Sequence, residues 1–569
     1  MSMPRLALIL ALGAAACTEH APSFGRLTLS DGGTTEPLTG DSSGGSVPTT
    51  SAGDGATGDM SSGDTSSSEP VTTGETTGPA PDTTSGDTTA EPVNEPPTVA
   101  LALAPESVDA AGVVQLAIEV SADVVEVDIV YRGEVVATLP PAAFPFDFEV
   151  TSQARCNGDE AIRVIAHDAE GLTGDDATLL TCSLPVSGSE AHKAQLPGTT
   201  LSMVHSVAIL GDDFVAVGVL DGQIAVWRVG PDLQVLPGWP RVLADWTGTP
   251  GLAALDSAAV GVAVDADQNI IVAGNTVKAG VKTYYVVKLN AAGSRIAPEV
   301  QGLANEEAAG VAVTPAGLIV VAGAVRTAVQ PPAFDWRVWG YAKLGAVAPW
   351  VDTLPLGPGE ILDEFNMRSE RARAVVVLPG GELLVVGERE YKKIDEGETY
   401  IRASWQRYND VGVRVGDLWT SDANGPGNTS HDAANAVIVL SDDEFVISGW
   451  ARAKLGQPPQ VWSRRFPQGE AKDFRVEQGL TAEAKGIGHD RENNLVVATT
   501  ATSSGQVDAW AFAFHGWALP AVWSQPPYGD PQGWDGYTSI ACTTWGYCVT
   551  GGFLTVNGMI TGFLRLHNP

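Results

Sequence analysis

Seven times between Val204 and Leu566 the chain repeats one short phrase: an apolar strand, a tight polar turn and a second apolar strand, usually closed by Gly. The copies are SVAILGDDFVAVG from Ser206, GVAVDADQNIIVAG from Gly261, GVAVTPAGLIVVAG from Gly310 and AVVVLPGGELLVVG from Ala374. AVIVLSDDEFVISG from Ala436, GIGHDRENNLVVAT from Gly486 and SIACTTWGYCVTGG from Ser539 complete the series. Repetition on this scale constrains the architecture before composition or motifs do.

The residues closing the phrase are Gly218, Gly274, Gly323, Gly387, Gly449, Thr499 and Gly551. Their spacing leaves room for about four short strands per unit, the content of one propeller blade. In the unit from Gly261, GVAV and IIVAG form the first two strands and TYYVVKLN the third, followed by the turn AAGS. Such strands are apolar on both sides, so each sheet must be covered on both faces by its neighbours. No segment shows helical periodicity, and Gly and β-branched residues are dense throughout. The seventh unit is long enough for only three strands, so a fourth is expected from Ala191 to Ser202, ahead of the first phrase.

VAVDADQNIIVAG from Val262 followed by VVKLNAAGS resembles the bacterial propeller-type repeats, whose form is V-x-x-D-x-x-G-N-x-x-V-x-G with a later K-L-x-x-x-G. Gln268 stands at the motif's Gly and Asn269 at its Asn. The resemblance implies a fold, a seven-bladed β-propeller over residues 189–569, and no activity.

The N-terminus has one Arg, the apolar run LALILALGAAA and then Cys17. That run is too short to span a bilayer and fits a signal peptide over residues 1–16. Ala14, Ala15 and Ala16 before Cys17 resemble a bacterial lipobox, which implies acylation of Cys17 and attachment to a membrane. Glu19 favours an outer-membrane lipoprotein, exposed on the surface, over inner-membrane retention; secreted or periplasmic release is the alternative. From Leu27 to Glu95 there is no Lys, Arg or aromatic residue, but many Thr, Ser, Gly, Pro and carboxylates, so residues 17–95 are expected to be a disordered acidic linker.

Period-two alternation begins near Pro96, with Val99, Leu101 and Leu103, then Val114, Leu116 and Ile118, then Val125, Val127 and Ile129. The opening Pro-Pro-x-Val resembles bacterial immunoglobulin-like modules and implies a small β-sandwich over residues 96–188. The whole is read as all-β. After Cys17 the cysteines fall into two local pairs, Cys156 with Cys182 and Cys542 with Cys548, which fits two disulfides in an oxidising compartment. Scattered histidines give no metal-ligand spacing, and no cofactor is expected.

A formal net charge of -35 argues against nucleic acid as a partner. Asp265, Asp267 and Asn269 raise a calcium loop, but their short turn lacks an EF-hand's distal Glu, so an Asx turn is expected. Asp212/Asp213 and Asp442/Asp443 occupy equivalent turns. Trp227, Trp339, Trp405, Trp462 and Trp510 lie in third strands and are expected to pack between sheets. Insertions at 277–282, 326–334, 389–399 and 451–460 should gather on one rim, where binding loops concentrate.

His431, His489 and His515 are not equivalently placed, Asp363/Glu364 reads as solvated surface, and no catalytic residue is assigned. The function expected is non-enzymatic: a monomeric envelope protein binding a protein or glycan through its rim loops. A hydrolase or lyase acting on an extracellular polymer and a purely structural surface protein are the alternatives.

Overall fold

In the computed structural model, nearly every ordered segment after Pro96 is a strand, and the Gly that closes each phrase has a steric cause. The structure describes residues 95–569 except 152–155, 197, 248–256, 279, 330–331, 343, 345–349, 354–360, 363–364, 394–398, 422–430, 442–443, 453–457, 467–471, 476–480, 491–494, 504–505, 515–522 and 529–533. Cys17, the expected signal peptide and all but the last residue of the expected acidic linker therefore lie outside the described residues.

Two sheets come first. One has three strands, in the order Val99–Ala104, Gly112–Val120 and Phe146–Val150. The other has five, with Ser107–Val108 parallel to Thr173–Cys182, then Gly158–Asp168, Val124–Tyr131 and Glu134–Leu139. Alternation puts Leu103, Val114, Leu116 and Ile118 of one into a shared core with Val127, Ile129, Ile162, Val164 and Leu180 of the other.

Seven sheets follow. Their first strands are Ser202–Leu210, Ala258–Val264, Glu306–Val313, Phe365–Val377, His431–Val439, Thr481–His489 and Gly536–Cys542. Each pairs antiparallel with a second, the second with a third and the third with a fourth. The fourth repeat sheet gains a short extra strand, Ile361–Leu362. In the seventh, the fourth strand is Glu190–Leu196, which pairs with Met559–His567 from Gly562↔Leu196 to His567↔Glu190. This is the donation expected of the segment before the first phrase.

Every first strand carries a β-bulge at the same place: His205, Val260, Ala309, Arg373, Asn435, Lys485 and Thr538 are the extra residues. A bulge bends its strand and drives the backbone toward the residue opposite. That residue is Gly218, Gly274, Gly323, Gly387, Gly449, Thr499 and Gly552 in turn. A Cβ on any of the six glycines would come under 3.0 Å from a carbonyl oxygen of the bulged strand. The seventh anchor is thus Gly552, one residue beyond the Gly551 expected from the sequence. Gly551 instead faces Ser539, just past the bulge.

The apolar faces are covered by side chains of adjacent sheets. Ala208, Val217 and Val226 pack with Val262, Val272 and Tyr285, and Val320, Trp336 and Val338 pack with Val375, Leu383 and Tyr408. Val204, Ala216 and Trp227 of the first repeat sheet likewise meet Val549 and Leu564 of the seventh. Single hydrogen bonds accompany that last contact: Val207 N donates to Ser539 Oγ at 3.1 Å and Thr538 Oγ1 donates to the Val204 carbonyl at 2.7 Å.

These observations correct the architecture expected from the sequence. Each hydrogen-bonded ladder begins and ends in its own sheet, and none is closed into a circle, so the described residues form nine separate, open, small sheets in place of a closed seven-bladed propeller. An immunoglobulin-like module is not shown either: the first two sheets divide three and five, and their disulfide lies along one sheet without bridging to the other. Nor does this architecture support the outer-membrane lipoprotein reading.

Candidate functional site: the end of the extended hairpins

The turns joining second to third strands lie at the end of each sheet where its first strand begins. In repeat sheet 2 the hairpin ladder reaches Lys278↔Val281, in sheet 3 Val329↔Pro332, in sheet 4 Lys392↔Thr399 and in sheet 5 Ala451↔Gln460. The insertions expected as loops are thus, among the described residues of the first three, mostly strand extensions, whereas 394–398 and 453–457 lie outside the described residues. Cross-strand pairs such as Glu390↔Ile401 and Glu388↔Ala403 hold the extension in register.

Hairpins meet the start of the next sheet. Asn305 N donates to the Lys282 carbonyl at 2.8 Å, Ala403 N to Asp432 Oδ1 at 2.7 Å, Ala482 N to the Pro459 carbonyl at 2.9 Å and Asp535 N to the Val507 carbonyl at 2.8 Å. Between sheets 2 and 4 this junction is ionic. Lys282 of sheet 2 pairs with Glu307 of sheet 3 at 2.6 Å and Arg371 of sheet 4 lies 3.7 Å over the Phe334 ring of sheet 3, while Arg337 pairs with Glu306 at 3.3 Å within sheet 3 and Arg373 with Glu388 at 2.7 Å within sheet 4.

Glu370 and Arg389 form the most deeply buried pair, only 2% and 3% exposed. Arg389 donates from Nε at 2.8 Å and Nη2 at 2.5 Å to the same oxygen, Glu370 Oε1, and Oε2 has no hydrogen-bond partner. Burial pushes the Glu370 carboxyl up despite the opposing pull of Arg389, and the nearby Asp335 charge adds to the rise. Asp335 is itself raised, chiefly by burial. Neither carboxylate was singled out from the sequence; for Glu370 the signal was the charge-rich pair of segments MRSERARA and GEREYKK, which the hairpin register brings opposite each other, and Asp335 lies in neither.

Exposed apolar side chains accompany these charges. Val281 sits at the tip of the second sheet's hairpin, Leu303 beside the start of the third sheet, Trp534 beside Val507, and Met559 just after the turn of the seventh; all are exposed, Trp534 by 52%.

The other predicted residues have structural roles. Asp265 Oδ1 accepts from Asp267 N at 3.0 Å and Asn269 N at 2.8 Å, and Oδ2 pairs with Lys288 at 2.7 Å, the Asx turn expected. Asn290 and Asn409 repeat that turn. Asp213 pairs with Arg228 at 2.5 Å, and Asp212 stays exposed beside it. Among the described residues no three His, Cys, Asp or Glu gather as a metal would require. His431 Nδ1 accepts from Ile401 N at 3.2 Å, and His489 lies 3.1 Å from the Asp490 carbonyl. Asp363/Glu364, Asp442/Asp443 and His515 lie outside the described residues.

Trp227, Trp339, Trp405 and Trp462 are buried between sheets, and Trp510 partly so. They occupy three registers: Trp227 and Trp339 face Ala216 and Val321, Trp405 faces Val386, and Trp462 and Trp510 face Gly449 and Thr499. Trp336, fully buried, was not singled out. Cys156 is bonded to Cys182 and Cys542 to Cys548, the latter pair directly opposite in its hairpin.

No family model matches the chain, and no curated protein does. Among solved structures, similarity is found to a protein of unknown function from Dyadobacter fermentans, with 10% identity over 67% of this chain and 98% of that one and a TM-score of 0.37. The polysaccharide lyase Uly1 shares 8% identity over 64% and 89%, with a TM-score of 0.39. TolB from Acinetobacter baumannii shares 10% over 63% and 75%, with a TM-score of 0.30. Scores this low carry no conclusion about this chain.

Proposed function

We propose that this chain is a non-enzymatic binding protein of the cell envelope, engaging a protein or glycan partner with its hairpin end. The observation that supports this reading is that Trp534, Met559, Leu303 and Val281 are each exposed at that end of their own sheets, where long hairpins are stiffened by ladder and ion pairs. Contact residues on a rigid support lose little freedom on binding, and exposed aromatics carry much of the energy of interfaces.

The test is capture of purified envelope proteins and arrayed glycans by the mature chain and by the triple variant Leu303→Ser, Trp534→Ser, Met559→Ser. A partner held by the wild type and released by the variant, at an unchanged unfolding temperature, supports the reading. Equal capture by both, or turnover of an extracellular polymer by the purified chain, contradicts it.

A further inference from the structure

At the opposite end of repeat sheets 1 and 2, away from the hairpin tips, lies a cleft of about 240 Å³ lined by Arg241, Asp245, Trp246, Gly293, Ser294 and Arg295. It is built from both sheets. Arg241 belongs to the fourth strand of sheet 1, Arg241–Val242, and the short helix Leu243–Thr247 follows it. Gly293 and Ser294 belong to the turn after the third strand of sheet 2, Val281–Leu289.

The two halves are locked together. Trp246 Nε1 donates to the Gly293 carbonyl at 3.3 Å. Gly293 has φ +82°, and a Cβ there would meet Trp239 and the Arg241 stem at about 3.0 Å, so the turn seats directly on these side chains.

The charges inside the cleft are unequally committed. Arg295 is paired with Glu299, and one Asp245 oxygen, Oδ2, accepts from Val242 N at 3.0 Å. Arg241 forms no ion pair among the described residues, and its Nε is buried without a hydrogen-bond partner. A guanidinium in that condition lacks the two-pronged acceptor that its geometry fits best, a carboxylate. The Arg295–Glu299 pair is neutral, so the charges left to the cleft are Arg241 and Asp245, one of each sign. Asp245 would repel a bare anion but accepts from a donor beside it. The volume lies below the roughly 300–1,000 Å³ of pockets for drug-sized ligands, so it suits a single small group.

We infer that this cleft binds a carboxylate carrying a hydroxyl one or two carbons away, either a small hydroxy acid or a single uronic acid residue, with the carboxylate on Arg241 and the hydroxyl on Asp245. The inference goes beyond the proposed function, and it stands on residues remote from the hairpin end.

Isothermal titration of the mature chain with lactate, propionate, glucuronate and glucose tests it. Lactate or glucuronate is expected to bind, and propionate and glucose at least about ten-fold more weakly. Arg241→Gln should weaken the acid about ten-fold or more at an unchanged unfolding temperature, the range expected for loss of a charged two-pronged hydrogen bond. Asp245→Asn should narrow the preference for lactate over propionate. Lactate binding as well as glucuronate identifies a free hydroxy acid; a requirement for glucuronate identifies a sugar residue. Absence of binding by every acid, glucose binding as tightly as glucuronate, or an Arg241→Gln chain binding as well as the wild type overturns the inference. None of these results bears on capture by the hairpin end, whose variants leave this cleft intact.

Discussion

Ala372 and Gly387 face each other across the first two strands of the fourth repeat sheet, and a Cβ on Gly387 would overlap the carbonyl oxygen of Arg371. The bulge at Arg373 causes this approach. Six of the seven repeats solve the crowding with glycine; in the sixth, Thr499 faces Ala484 and its Oγ1 donates to the Trp510 carbonyl at 2.9 Å. The Gly written at the end of each phrase thus records a backbone contact and not a turn.

The Glu370–Arg389 pair should behave as a buried pair does. Desolvation cancels much of its attraction, yet losing one partner strands the other charge. Glu370→Ala or Arg389→Ala is expected to cost about 3–5 kcal/mol each. Glu370→Leu combined with Arg389→Met should cost less than either single change. Denaturant unfolding of the three variants checks the order; a double variant less stable than both singles contradicts it.

Acid should weaken the fold through two histidines. Burial lowers His205 to about 4 and His567 to about 3, from the ordinary imidazole value of 6.5. The neighbouring Arg565 charge further lowers His567. Because both folded values lie below the unfolded one, their contribution is complete above about pH 6.5 and is lost as the pH falls toward 4, where the unfolded chain takes up protons that the fold refuses. His205→Gln should reduce the slope of unfolding free energy against pH in that window by up to about 1.4 kcal/mol per unit. An unchanged slope would show that His205 titrates normally.

Removing the disulfides should have separable effects. The Cys156–Cys182 loop spans 26 residues and the Cys542–Cys548 loop 6, so chain entropy gives about 3.5 and about 2.3 kcal/mol respectively. The core around the first includes no residue after Leu184, whereas every Trp lies at or beyond Trp227. Replacing Cys156 and Cys182 with Ser should therefore leave the Trp fluorescence midpoint in denaturant unchanged, while circular dichroism shows an earlier loss of strand. Replacing Cys542 and Cys548 with Ser should move the fluorescence midpoint. Identical shifts in both probes for both variants would contradict this separation.

How far the sequence reveals the structure depends on the range of each interaction. Period-two alternation and Asx chemistry act within a few residues, so the strands and the Asp265 turn were legible directly. The donated strand Glu190–Leu196 was legible because the seventh repeat is visibly too short. The bulges were not read, although a recurrent Gly within an apolar strand is their signature. The expected closed ring and immunoglobulin-like module came from strand count and family resemblance, neither of which fixes which ladder ends where. Glu370 and Asp335 were missed because their importance arises from burial between sheets, and Arg241 because its cleft needs the Gly293 turn of the next repeat.

The central claim is that bulged strands pressed against glycine define the repeat. Thermal unfolding of Gly218→Ala, Gly323→Ala, Gly387→Ala, Gly449→Ala and Gly552→Ala, with Gly380→Ala as the uncrowded control, tests it most directly. Each of the five should lose about 1–3 kcal/mol, the cost of overpacking, and the control should change little. Five alanine variants as stable as the wild type would contradict the account.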